Sequence, residues 1–186
     1  MTYAPEYLAP LSEAVGRVII EWNRIEHVIA ELAHRLAGCI SAPLIGPSGD
    51  VLRLALMNMD LRARISTTKA YAFQCQIYDG FYAELEKILN RVDNELRAER
   101  NKFVHSLWYC DFGQPSRVAI GTRIVKPQAG MLELVTSTSR DYSSIDEAAI
   151  FGAELAEAYN QIAAIEGKVS LSEAYKNAQA SLAVRA

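Results

Sequence analysis

One short run late in the chain gathers the side chains best suited to chemistry. It reads Asp93-Asn94-Glu95-Leu96-Arg97-Ala98-Glu99-Arg100-Asn101-Lys102-Phe103-Val104-His105-Ser106. Wound into a helix, Arg97, Asn101 and His105 fall on one line at steps of four, and Arg100 stands beside Arg97. Histidine is the side chain whose ordinary pKa lets it give and take protons near neutrality. Arginine offers fixed positive charge and paired donors to a phosphate. An Arg, an Asn and a His on one exposed face suit metal-free RNA cleavage. His105 would deprotonate a ribose 2′-hydroxyl or protonate the leaving 5′-oxygen, and an Arg would hold the scissile phosphate. A plainer reading stands beside it: Asp93–Arg97 is an ordinary helix ion pair, and cations in a last turn suit the helix dipole. On charge alone, this face is solvated surface.

The elements that must position this run are mostly helical. Val15, Val18, Trp22, Ile25, Ile29, Leu32 and Leu36 recur at three- and four-residue steps and predict a helix over 11–36, with Ser12 as N-cap and Gly38 as stop. The Gly- and Pro-rich stretch 38–50 reads as a loop. Asp50 then caps a second helix over 51–77, whose face carries Leu52, Ala55, Leu56, Met59, Ala63 and Ile65, with a weak stretch at 66–69. Asp79-Gly80 marks a turn. A third helix over 81–106 has the apolar stripe Phe81, Leu85, Ile88, Leu89, Val92, Leu96 and Phe103, set away from the Arg/Asn/His line. Stretches 117–126 and 131–138, rich in Val, Ile and Thr and separated by Pro127–Gly130, read as a β-hairpin. Ser144 and Glu147 form a capping box for a helix to about Lys168, striped by Ile150, Phe151, Leu155, Ala158, Ile162 and Ile165. A short last helix over 170–184 completes the pattern. The expected fold is mainly all-α: an up-and-down bundle of four to five helices forming a single domain over 1–186, with a loop and β-hairpin insertion at 107–142.

The run Arg100-Asn101-Lys102-Phe103-Val104-His105 matches the Arg–x(4–6)–His motif of the HEPN superfamily, including the polar residue directly after the Arg. Trp22-Asn23-Arg24-Ile25-Glu26, followed by Ile29 and Leu32, resembles the Trp-x-x-Ile-Glu opening of many bacterial members. The resemblance spans roughly residues 12–110 and the helix after Ser144; the hairpin is not a general feature of the family. Many HEPN proteins are metal-independent endoribonucleases that act as homodimers, the Arg and His of both chains meeting at a shared cleft. The resemblance therefore implies RNA as substrate, Arg100 on the phosphate, Asn101 as orienting residue and His105 on the proton. It implies a homodimer through the Arg97/Asn101/His105 face and a role in a toxin–antitoxin or phage-defence system, with an antitoxin protein as partner. Helix geometry adds Arg97 as a substrate-binding cation, and Lys102 of the same run is a second candidate. Inactive members of the family serve as binding or dimerisation modules. The alternative is thus a catalytically inactive helical dimer that binds a protein or a nucleotide, and a third reading is a structural protein of a phage or mobile element.

Bulk properties narrow the classes. The chain has 186 residues, 51% hydrophobic and 22% charged, which is ordinary globular composition able to bury a core. Net charge is −3, with a pI near 5.7, so a broad basic face for long duplex DNA is not expected and any nucleic-acid contact must be local. Cys39, Cys75 and Cys110 are odd in number and widely spaced, without a Cys-x-x-Cys pair. They read as buried free thiols of a reducing cytosol rather than a disulfide framework or zinc site. No secretory signal opens the chain, and charges interrupt Val15–Ile29, so the expected location is cytoplasmic and off the membrane. His27, Glu31 and His34 hold a Glu-x-x-His step without a second copy on another helix; they read as a solvated face, and neither metal nor cofactor is expected. Gly46-Pro-Ser48-Gly49 is a turn rather than a nucleophile elbow, and no phosphate loop is present. Glu26 is a candidate partner for Arg97 or Arg100.

Overall fold

A computed structural model describes residues 5–40, 47–75, 80–104, 107–111, 114–125, 133–141 and 145–172, the three strand segments through their backbone. Helix α1 (Pro5–Ile40) is followed by α2 (Pro47–Asn58), α3 (Leu61–Cys75) and α4 (Phe81–Arg91). A π turn (Val92–Leu96) joins α4 to α5 (Arg97–Val104) in one continuous helical run. Strands β1 (Leu107–Asp111), β2 (Gln114–Val125) and β3 (Glu133–Asp141) precede α6 (Ile145–Leu171). The protein is mainly helical, and none of its described helices is long and apolar enough to cross a membrane.

The chain gathers into two compact units. One comprises Met1–Ile20 and Ala98–Ala153, the other Glu21–Arg97 and Glu154–Ala186. In the first, β1, β2 and β3 form an antiparallel sheet in chain order, Leu107 opposite Val118 and Val125 opposite Glu133. This is a three-stranded meander where a two-stranded hairpin was expected. Phe103 of α5 stacks on Phe151 of α6 with centroids 5.3 Å apart. Gly152 admits the stem of Arg17, whose Cγ lies 3.4 Å from where a Cβ would sit. Ile150, placed on the apolar stripe by the sequence, is 61% exposed; Ala148 takes the buried position one turn before Phe151 and Gly152.

In the second unit, α1 is buried on two sides. Ile25, Ile29, Leu32 and Leu36 form one buried row, and Ala30 and Ala33 form another that lets Leu56 of α2 approach closely. The α6 residues Leu155, Ala158, Ile162, Ile165 and Val169 and the α4 residues Phe81, Leu85, Ile88 and Leu89 are also buried. Arg24 clamps α1 to α6: its guanidinium lies 4.0 Å from the Tyr159 ring centroid and donates to both oxygens of Glu21. These contacts hold the Arg24 pKa above its ordinary value, the bond to Tyr159 contributing most. Arg35 of α1 pairs with Glu166 of α6.

Several boundaries differ from expectation. Helix α1 begins at Pro5 rather than after Ser12 and passes Gly38 to end at Ile40, because Pro5 suits a first helical position. Helix α2 opens on Pro47, so Asp50 sits in the first turn rather than at the cap. The expected 51–77 helix is two helices with a corner at Met59-Asp60. The Asp60 carboxylate accepts the Ala63 N–H at 3.0 Å and starts α3, while Asn58 Nδ2 donates to the Leu54 carbonyl and helps end α2. This corner resets the helical phase and leaves Ala55 and Ala63 exposed. Helix α6 starts directly after Ser144, whose capping role lies outside the described residues, as does the turn Pro127–Gly130; of the last helix expected over 170–184, the first two residues are the end of α6, which runs to Leu171, and 173–184 lie outside the described residues.

One side chain holds the corner. Arg64, 5% exposed, donates from Nε to the Leu56 carbonyl at 2.9 Å and from Nη2 to the Met57 and Met59 carbonyls at 2.8 Å. Its Nη1 donates to the Glu26 carbonyl of α1 at 2.8 Å. It thus satisfies the orphan carbonyls at the α2 C-terminus and ties them to α1. Arg64→Ala would strand these acceptors and is expected to lower unfolding free energy by about 3–5 kcal/mol, read from urea denaturation. A loss under 1 kcal/mol would show that water replaces the guanidinium at little cost.

Candidate functional site

The run singled out by the sequence begins on a π turn. Arg97 N–H bonds to the Val92 carbonyl, five residues back, and so passes over the Asp93 carbonyl that an α-helical bond would use. The Arg97 side chain fills that place: Nε donates to the Asp93 carbonyl at 3.1 Å, and Nη2 lies 3.2 Å from the Asp93 carboxylate. The carboxylate also faces Arg62 of α3 at 3.4 Å. Arg97, expected to bind substrate, is thereby engaged in the turn itself.

Helix α5 carries the rest of the run. Phe103, buried against Phe151, fixes the rotation of this last helical segment. Arg100 is half-buried and Asn101 exposed. Arg100 Nη1 donates to Asn101 Oδ1 at 3.1 Å, bringing together the two residues that head the motif. With its carbonyl oxygen turned to Arg100, the donor side of the Asn101 amide is its NH₂. Lys102 is exposed, with Nζ 2.5 Å from Glu99 Oε2. His105 lies outside the described residues. The arrangement can orient planar donors toward an oxyanion at the end of α5.

The other motif residues are structural. Trp22 is buried and its indole N–H donates to Glu26 Oε1 at 2.6 Å, while the Glu26 carbonyl takes Arg64. Glu26, a candidate partner for Arg97 or Arg100 and otherwise read as a plain exposed carboxylate, instead accepts from Trp22, which the i,i+4 step puts beside it. Ile25 of the same motif is fully buried. Glu31 is held by Arg53 of α2 at 2.6 Å, with His27 Nε2 at 4.0 Å. Glu31 and His34 are half-buried rather than fully solvated, because α2 passes over that side of α1. Among the described residues, no group of three or more His, Cys, Asp or Glu is placed to hold a metal ion.

A cleft of about 660 Å³ in the second unit was not expected from the sequence. Lys87, Arg91 and Asn94 line one wall, Gln161 the other, and the buried Ile88 and Ile165 lie beneath. Lys87, Arg91, Asn94 and Glu95 follow three- and four-residue steps, so the stripe is legible in the sequence; that α6 stands opposite it is not. Lys69 Nζ donates to Asn90 Oδ1 at 2.6 Å, Glu84 is 3.4 Å from Lys168, and Arg91 is 3.8 Å from Glu154. Compared with known protein families, curated proteins and solved structures, the chain matches none.

Arg97→Ala removes the side chain that serves the skipped Asp93 carbonyl. The expected cost is about 1 kcal/mol of stability by thermal or urea unfolding, without regard to any ligand. An unchanged unfolding midpoint would return Arg97 to the role of a binding residue only.

Proposed function

We propose that the chain is a HEPN-like, metal-independent endoribonuclease, cytoplasmic and homodimeric, built as an up-and-down helical bundle. The Arg100–Asn101 contact carries this reading. It pre-orients a guanidinium and an amide at the end of α5, next to the sequence position of His105. The ribose 2′-oxygen would attack phosphorus, the 5′-oxygen would leave, and a 2′,3′-cyclic phosphate would remain. One histidine takes the 2′-hydroxyl proton and another supplies a proton to the leaving oxygen. Each chain holds one His105, so a two-fold dimer through the Arg97/Asn101/His105 face supplies both. Arg100 would neutralise charge on the phosphate as it grows. A role in a toxin–antitoxin or phage-defence system, with an antitoxin protein restraining cleavage, follows from the same resemblance.

The test is cleavage of a labelled RNA in the presence of EDTA, with product ends identified by mass. Cyclic phosphate ends are expected, and Arg100→Ala and His105→Ala should each lower the rate at least 10²-fold while the circular dichroism spectrum stays unchanged. Full activity in His105→Ala, or cleavage only with added metal, would overturn the mechanism.

The cleft favours a second reading, a catalytically inactive nucleotide-binding module. Its cations Lys87 and Arg91 stand one turn apart, with Glu84 and Glu95 also on the lining and Ile88 and Ile165 beneath; the two cations would take a phosphate and the apolar base a flat ring. Titration calorimetry with a nucleoside 5′-monophosphate should then show binding that Lys87→Ala weakens about tenfold; absence of heat at millimolar ligand would remove this reading.

A further inference from the structure

Lys87, Arg91 and Glu95 follow one another at single-turn steps along one wall of the cleft in the second unit, and Asn94 stands next to Glu95. Opposite charges one turn apart on a helix ordinarily pair. Glu84 lies one turn before Lys87, and Arg91 one turn before Glu95. Here α6 takes both of those neighbours. Lys168 Nζ lies 3.4 Å from Glu84 Oε1, and Arg91 Nη2 lies 3.8 Å from Glu154 Oε2. Among the described residues, Lys87, Asn94 and Glu95 are left without a side-chain hydrogen bond or ion pair, and all three are exposed. The π turn contributes to this placement. It winds less per residue than an α turn, so Glu95 swings back toward the line of Lys87.

The wall therefore offers a free cation at one end and a free carboxylate with an amide at the other. Lys87 and Glu95 are eight residues apart, roughly 12 Å along a helix. Ile88 and Ile165 supply an apolar base. The matching molecule has an anion at one end, a flat body, and a hydrogen-bond donor at the other end. A nucleoside monophosphate with an amino group on its base has that order of parts and a similar length. We infer that the cleft selects adenine nucleotides: Lys87 and Arg91 take the phosphate, while Glu95 and Asn94 read the amino edge of the base. This rests on the nucleotide-binding reading of the cleft and adds the identity of the base. An ionised Glu95 carboxylate only accepts hydrogen bonds. It favours the exocyclic amine of adenine and repels the carbonyl oxygen that hypoxanthine carries in its place. The Asn94 amide both accepts and donates, which suits the amine and the ring nitrogen beside it.

The experiment is titration calorimetry of the full chain with adenosine 5′-monophosphate and with inosine 5′-monophosphate, which share phosphate, sugar and ring shape. The adenosine nucleotide should bind about tenfold more tightly or better. Glu95→Gln replaces an exposed side chain with one whose NH₂ can meet the inosine carbonyl. It should bring the two affinities within about threefold of each other, with the circular dichroism spectrum unchanged. Equal binding of the two nucleotides by the unaltered chain overturns base selection and leaves the nucleotide reading standing. A preference for adenosine that survives Glu95→Gln overturns the role of this edge of the cleft. Absence of heat from either nucleotide at millimolar concentration removes both the selection and the reading beneath it.

Discussion

The guanidinium of Arg64 is the contact on which the helical unit most depends. A helix end leaves carbonyls without intrahelical partners, and a corner between two helices has little room to admit water. Here one buried cation answers three of those carbonyls at the α2 C-terminus and a fourth in the middle of α1. The partial negative charge at the end of α2 favours a cation in that place. The same side chain sets the distance between α1 and α2, where Ala30 and Ala33 meet Leu56. Arg64 itself leaves from the first turn of α3, positioned by the Asp60 cap. Cap, corner and interhelical contact are therefore one coupled arrangement.

The helix through residues 81–104 solves a different problem. It buries Phe81, Leu85, Leu89, Val92 and Leu96 with its first part and Phe103 with its last. The π turn adds one residue to a turn and re-phases the residues of α5. The two compact units divide within this helix directly after the turn, at Arg97–Ala98. A skipped carbonyl is the cost of the turn, and Arg97 meets it from within the same helix. The Arg-rich run thus combines two roles. Arg97 stabilises the irregular backbone, while Arg100 and Asn101, one turn later, hold each other at the end of α5. The Trp22–Glu26 bond shows the same economy in α1: the motif that resembles the HEPN opening places a buried indole and its acceptor one turn apart. That part of the resemblance describes how the helix is built, and the proposed chemistry rests on the α5 run alone.

The sequence by itself determined the helical character and most of the buried positions. Apolar side chains at three- and four-residue steps must share a face, and a face that cannot be hydrated must be covered. Hence Val18, Trp22, Ile25, Ile29, Leu32 and Leu36 of α1 and the α4 stripe are buried as their spacing predicts. Asn58 and Asp60 also carried a readable signal for the corner, an amide that ends a helix and a carboxylate that begins one, although the continuous apolar pattern concealed it. Arg100 and Asn101 were legible as consecutive motif residues, but the bond between them was not, because adjacent residues on a helix do not face each other.

Tertiary structure alone decided the rest. Periodicity assumes a constant rise and turn, so it misses the π turn and with it the engagement of Arg97 with Asp93. Composition marks arginine as a surface residue, yet Arg64 is buried because four carbonyls from two other segments converge on it. Cys75, at the end of α3, reaches the Leu36 carbonyl of α1 although the two lie far apart in the chain. Lys87 and Arg91 line a cleft because Gln161 and Ile165 of α6 stand across from them. Local sequence sets which face of a helix avoids water; which other helix covers it depends on distant segments meeting, and no spacing rule within one helix encodes that.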